Sequence, residues 1–255
     1  MKFTPIALCG IIVLTACHDP IPETPTTHIV DLPDATASIT PAAQAQAMQA
    51  IEEQASQLGH GDCISVMPIM GDSDAMPADA IVRKCVPTER LPYDQELADF
   101  RDELHQALAD QSRQLAQHRA ERTNILGAIQ LTEQELALDK PDTRRVLLIY
   151  SDFIEEDGTR NFLTSPDLAT PEAAVRLART LASNPVPGCT KPLVDWSHVR
   201  VFLGNIQSTE TANLPDKRKE AIRRFWIAYF TALHAHPFFA ADGPGISLRF
   251  LAQRE

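Results

Sequence analysis

The sequence is short of the features that would name a chemistry. It has no G-x-S-x-G elbow, no P-loop, no G-x-G-x-x-G, no C-x-x-C and no H-E-x-x-H, so no catalytic or nucleotide-binding template is visible. The histidines are scattered, and the close pair His234 and His236 in HAHPFF reads as the end of a helix rather than a zinc site. Positive charge is also scarce: 23 Lys and Arg stand against 34 Asp and Glu, a formal charge of −11, and such a surface repels nucleic-acid phosphates. No apolar run after the first residues approaches the 18 needed to span a bilayer. Internal repeats are lacking as well. What remains is 44% hydrophobic and 22% charged over 255 residues, enough to build a packed core without a disulfide framework.

Location is written at the start. Residues 1–16 carry Lys2 and an apolar run from Ile6 to Leu14, which reads as an export signal. Leu14-Thr15-Ala16-Cys17 resembles the bacterial lipobox, which implies acylation of Cys17 and a mature chain beginning there. Residues 17–27 then form a proline-rich tether. With His18 rather than Asp after the cysteine, the resemblance implies a lipid-anchored envelope protein at the periplasmic face of the outer membrane.

Residues 28–255 read as one α/β domain with a mostly parallel central sheet, helices on both faces and one β-hairpin edge. THIVDL opens as a strand, Thr40-Pro41 starts a helix, and a long helix runs from Tyr93 to about Arg119. Thr123 caps another helix, and VLLIY at Val146–Tyr150 has the continuous apolarity of a strand buried on both faces. A helix over Pro171–Leu181, a strand over Val199–Leu203 and an aromatic helix holding Ile222, Phe225, Trp226, Tyr229, Phe230 and Leu233 complete the reading. Cys63 and Cys85 are equidistant from Asp74 in a turn-rich segment. A hairpin centred there predicts a cross-strand disulfide, with two reduced buried thiols as the alternative. Cys189 is left odd.

Ligands of open parallel sheets collect at the carboxyl ends of the strands. Three groups with hard oxygen donors fall there: Asp34, Thr36 and Ser38 after the first strand, Thr123 in TNILGAI, and Asp152 in VLLIYSD. In order and placement they resemble the metal-ion-dependent adhesion site of the von Willebrand factor type A (VWA) family. The resemblance implies a VWA-like, Rossmann-like fold, Mg²⁺ held by Asp34, Thr36, Ser38, Thr123 and Asp152, and a protein partner whose acidic side chain completes the metal shell. Two registers are open. Asp31 competes as the first ligand, and it would place Pro33 and Ala35 where hydroxyls belong, leaving a degenerate site. The alternative function is then a metal-free structural or interaction lipoprotein of an envelope or transfer assembly, with an envelope hydrolase a third and weaker reading. Phe153 follows Asp152 where the family often has Gly, and Glu155 and Glu156 add negative charge at the same rim.

Overall fold

A computed structural model describes residues 25–71, 80–88, 95–117, 119–183, 193–240 and 243–252. The export signal, Cys17, most of the tether, the Asp74 turn and Cys189 lie outside the described residues. The strands are β1 (Thr27–Pro33), β2 (Cys63–Val66), β3 (Val82–Cys85), β4 (Arg144–Ser151), β5 (Val199–Asn205) and β6 (His236–Ala240). The helices are α1 (Pro41–Ala55), α2 (Gln95–Gln117), α3 (Ile125–Leu136), α4 (Pro171–Ser183), α5 (Thr209–Ala212), α6 (Asp216–Ala232) and α7 (Ser247–Ala252).

The six strands form one sheet in the order β3-β2-β1-β4-β5-β6. Every neighbouring pair is parallel except β2–β3. This is the doubly wound, mostly parallel arrangement with a hairpin edge that the sequence implied. Side-chain alternation along the strands explains the two faces. Ile29, Val146, Leu148 and Tyr150 pack with α1, α2 and α7, whereas Val30, Leu32, Leu147 and Ile149 pack with α3, α4 and α6. β4 therefore needs apolar residues at consecutive positions, and VLLIY supplies them.

The helices begin and end for local reasons. The Thr40 hydroxyl accepts the Ala43 N–H at 3.2 Å, and Pro41 holds a first-turn position whose N–H has no helical partner. On α2 only Phe100, Leu104, Leu108, Gln111 and Leu115 are buried, matching the expected one-sided stripe. The aromatic stripe of α6 is core: Phe225, Trp226 and Phe230 are fully buried against the sheet. Cys63 and Cys85 sit directly opposite across β2 and β3 and are joined by a disulfide.

Three details differ from the sequence reading. The cap of α3 is Asn124, whose side chain accepts the Gly127 N–H at 2.7 Å; Thr123 stands one residue earlier. The helical spacing of Ala47, Met48, Ile51, Ala55 and Leu58 carries the first helix on to Leu58, but α1 stops at Ala55 and Leu58 is buried from the turn that follows. HAHPFF does end a helix, with His234 at a φ of 68°, but its second half is the edge strand β6. Pro237 is tolerated there because an edge strand has one unpaired side.

Candidate functional site

The sheet order reverses between β1 and β4, and the carboxyl ends of these two strands open the crevice where ligands of such sheets bind. β1 runs through Pro33, so Asp34 is the first residue beyond it. Its N–H donates to Tyr150 O at 2.9 Å, which ties the loop to the end of β4. Asp34 Oδ1 accepts from the Thr36 N–H at 3.0 Å and the Thr36 hydroxyl at 2.6 Å. Asp34 Oδ2 accepts from Ser151 Oγ at 2.7 Å. Ser38 Oγ lies 3.1 Å from Thr36 Oγ1. The structure thus gathers Asp34, Thr36 and Ser38 with the residue preceding Asp152.

Asp31 is elsewhere. It lies inside β1, alternates with Ile29 toward the α1 face, and is fully buried with neither carboxylate oxygen hydrogen-bonded. Burial raises its pKa well above the ordinary carboxylate value, and its charge in turn helps raise that of Tyr150, after burial.

Asp152 Oδ1 accepts the Ile154 N–H at 3.0 Å, while Oδ2 is buried with no hydrogen-bond partner. Burial first, then the negative charge of Asp34, pushes the Asp152 carboxyl up to about 7 against the pull of the Ser208 hydroxyl and the Ile154 N–H. Asp34 is also raised by burial, which outweighs its bonds to Thr36 and Ser151 and the attraction of Arg119. Glu210 is raised by partial burial and by the charges of Glu156 and Asp34. The rim is a crowd of acids short of positive charge.

Thr123 arrives on a third segment. Ala120 O accepts the Ala37 N–H at 2.8 Å, and the Ala120 N–H donates to Ala35 O at 3.2 Å. Arg119 bridges the carbonyls of Thr36 and Ile39 through one guanidinium nitrogen. Thr123 exchanges backbone hydrogen bonds with Glu156, at 3.2 and 2.7 Å, and is itself buried. The segments carrying Asp34, Thr123 and Asp152 are therefore sewn together at one edge of the sheet. A fourth segment joins them, since Ile39 bridges to Ser208 after β5.

Glu155 has a different task from the one its position suggested. Its Oε2 accepts the N–H groups of Ile125 and Leu126 at 2.8 and 3.3 Å, so it sits on the positive end of α3. Burial nonetheless raises its pKa to about 8. Phe153 adopts a φ of 63°, a left-handed conformation unfavourable for a bulky residue. The Trp226 indole donates to Phe153 O at 3.0 Å, and the Phe153 ring packs against Trp226 and Phe239, so the surroundings enforce the strain.

Ser151, Ser208, Glu210 and Arg119 are the neighbours that sequence reasoning missed. Ser151 was readable in VLLIYSD, and Ser208 with Thr211 forms a capping box for α5, a signal at the sequence level. Nothing local marks Glu210 or Arg119. Beside Asp152 opens a cleft of about 430 Å³ walled by Phe153, Leu214, Ile222 and Phe239, with Lys219 at its edge.

The donor set suits a hard divalent cation in kind: carboxylate and hydroxyl oxygens of Asp34, Thr36, Ser38 and Ser151 lie within hydrogen-bond distance of one another, and the Asp152 Oδ2 lacks a partner. Among the described residues no group of three or more His, Cys, Asp and Glu side chains is arranged to hold a metal ion. Any such cation would depend on the hydroxyls of Thr36, Ser38 and Thr123 alongside the two aspartates.

A second polar cluster has the residue types of a nucleophile relay. His28 Nδ1 lies 2.7 Å from Asp139 Oδ1, and Nε2 lies 3.0 Å from Ser65 Oγ. Ser65 and His28 are both fully buried, and the Ser65 hydroxyl donates to Glu135 at 2.7 Å. No substrate atom can approach that oxygen, so the network fastens β1 and β2 to α3.

No protein-family profile matches the chain, and no curated protein matches it by sequence. Solved structures do. BatB from Bacteroides thetaiotaomicron, a conserved hypothetical protein, is 12% identical, with 89% of this chain and 94% of that one aligned at a TM-score of 0.43. A von Willebrand factor type A protein from Catenulispora acidiphila is 13% identical over 89% of this chain and 41% of its own, at 0.38. The manganese-loaded TRAP protein of Plasmodium vivax is 10% identical over 80% of this chain and 73% of its own, at 0.34.

Proposed function

We propose that this is a lipid-anchored envelope protein whose VWA-like domain binds protein partners at the rim between β1 and β4, with a divalent cation such as Mg²⁺ in the contact. Asp34, Thr36, Ser38, Thr123 and Asp152 would hold the cation, directly or through water. The observation that carries the reading is that Asp34, just after β1, accepts a hydrogen bond from Ser151 at the end of β4, next to an Asp152 whose Oδ2 is buried without a hydrogen bond. Held there, such a cation would offer a Lewis-acidic position for a partner carboxylate. The chain's own part is to orient. Ser151 and Thr36 fix both oxygens of Asp34, and Arg119 braces the loop that presents Thr36 and Ser38.

A second reading keeps the location and drops the cation, making the protein a structural or interaction lipoprotein of an envelope or transfer assembly. It is favoured by the same Asp34 bonds, which already satisfy that carboxylate within the protein, and by the guanidinium of Arg119 near it. Calorimetric titration of the protein with Mg²⁺ and Mn²⁺ separates the two. Saturable heat that disappears in Asp152→Asn supports the first reading, and a flat trace at millimolar metal with partner capture unaffected by EDTA supports the second.

A further inference from the structure

The polypeptide enters the domain at one pole of the sheet. Thr26, immediately before β1, accepts the N–H of Arg144, the first residue of β4, at 2.8 Å. Since β1, β4, β5 and β6 run parallel, their amino ends share this pole and the candidate rim lies at the other. The seven residues of β1 set the two apart by about 23 Å.

Among the described residues three large hydrophobic side chains are exposed, and two of them belong to the entry pole. Leu138 is 65% exposed in the loop leading into β4, and Leu193 is 56% exposed in the segment leading into β5, its neighbour in the sheet. The two are linked through α3, because the Leu193 N–H reaches Glu133 at 3.5 Å, five residues before Leu138. Phe238, the third, is partly covered by the rings of Phe202 and Phe250.

We propose that this pole rests on the bilayer, with Leu138 and Leu193 among the lipid headgroups, and that the rim of Asp34 and Asp152 faces away from the membrane. The inference rests on the lipid anchor at Cys17. Pro25 is eight chain steps from that cysteine, a reach of about 28 Å at full extension, so the entry pole stays near the surface that holds the acyl chains. The chain's net charge of −11 is unfavourable overall toward anionic lipid, and the orientation is assigned to apolar contact at the two leucines. Two leucines are too few to recruit a free domain. They suffice to bias one that a tether already holds at high local concentration.

The test uses the acylated full chain in vesicles of phosphatidylethanolamine and phosphatidylglycerol, with a photo-crosslinking benzoylphenylalanine replacing Leu138, Leu193 or, at the rim, Glu121. Lipid adducts are expected at 138 and 193 and not at 121. Equal adducts at 121, or none at the two leucines, overturns the orientation. With the crosslinker at Asp142 on the same pole, Leu138→Gln together with Leu193→Gln is expected to lower the adduct yield severalfold, and an unchanged yield overturns the role given to the leucines. The intact mass reads the anchor separately. An unmodified Cys17 removes both the anchor and this orientation, whereas an acylated chain without adducts at 138 and 193 removes the orientation alone.

Discussion

At the scale of single residues, the rim is held by hydrogen bonds that compensate for burying acids. Among the described residues Ser151 Oγ is the one hydrogen-bond partner of Asp34 Oδ2, so Ser151→Ala leaves a buried carboxylate oxygen bare. The expected loss is about 1–3 kcal/mol of stability, read by chemical denaturation, together with weaker metal uptake. A loss below a few tenths would mean that water replaces the serine and that Asp34 is less enclosed than its 1% exposure indicates. Burial also sets the pH dependence. Glu155 keeps its proton up to about 8 and Asp152 up to about 7 in the folded state, whereas the unfolded chain ionises both near the ordinary carboxylate values. Unfolding therefore releases protons between about pH 4 and 7 on account of Asp152 and between about pH 4.5 and 8 on account of Glu155. The stability these groups allow is present at the acid end and lost as pH rises, by up to about 1.4 kcal/mol per pH unit for each group. Glu220, lowered to about 2, acts in the opposite sense but only below this window. Denaturation midpoints should fall from pH 5 to pH 8, and Glu155→Gln should flatten the fall; a rise over that range would show both acids ionised in the native protein. The motif Asp34, Thr36, Ser38 was visible in the sequence because its members are two residues apart. Glu210 and Arg119 were not, because only the fold brings their loops to Asp34, and the capping signal of Ser208 marks a helix start rather than a place at this rim.

At the scale of elements, alternation of short apolar runs with one-sided helices made the layered α/β architecture legible, and the symmetric spacing of Cys63 and Cys85 about Asp74 made the hairpin legible. β6 was hidden because it is five residues long, contains Pro237 and begins only four positions after the last residue of α6. Thr123 and Asn124 are adjacent residues of capping type, and only geometry chooses between them. The turn after β4 carries the sharpest conflict between local preference and fold. Relieving Phe153 of its left-handed φ with glycine gains about 1–3 kcal/mol. Deleting a ring that is 1% exposed between Trp226 and Phe239 loses about 3–5 kcal/mol. Packing outweighs strain, so Phe153→Gly should destabilise the protein by about 2 kcal/mol; a stabilised variant would show that the aromatic cluster contributes less than its burial implies.

At the scale of the whole molecule, the doubly wound sheet concentrates acids at one edge of a chain already at −11, and the fold bears that repulsion unless a cation relieves it. A metal that binds the folded state alone stabilises it by RT ln(1 + [L]/Kd), about 2.7 kcal/mol at a hundredfold excess over Kd. For a protein of this size that is a rise in Tm of about 5–10 °C. Protons compete for the same oxygens, since Asp152 must ionise to bind a cation and holds its proton up to about 7. The Mg²⁺-induced rise should therefore be large at pH 8 and small at pH 5.5, offsetting part of the alkaline loss that Asp152 causes. Asp152→Asn should abolish it, and Glu155→Gln, whose carboxylate is directed at the end of α3, should leave it intact. A rise of equal size at both pH values and in Asp152→Asn would assign the cation to the acidic surface rather than to the crevice between β1 and β4. No rise at all would leave Arg119 as the cation of that rim, and partner binding would then proceed without metal.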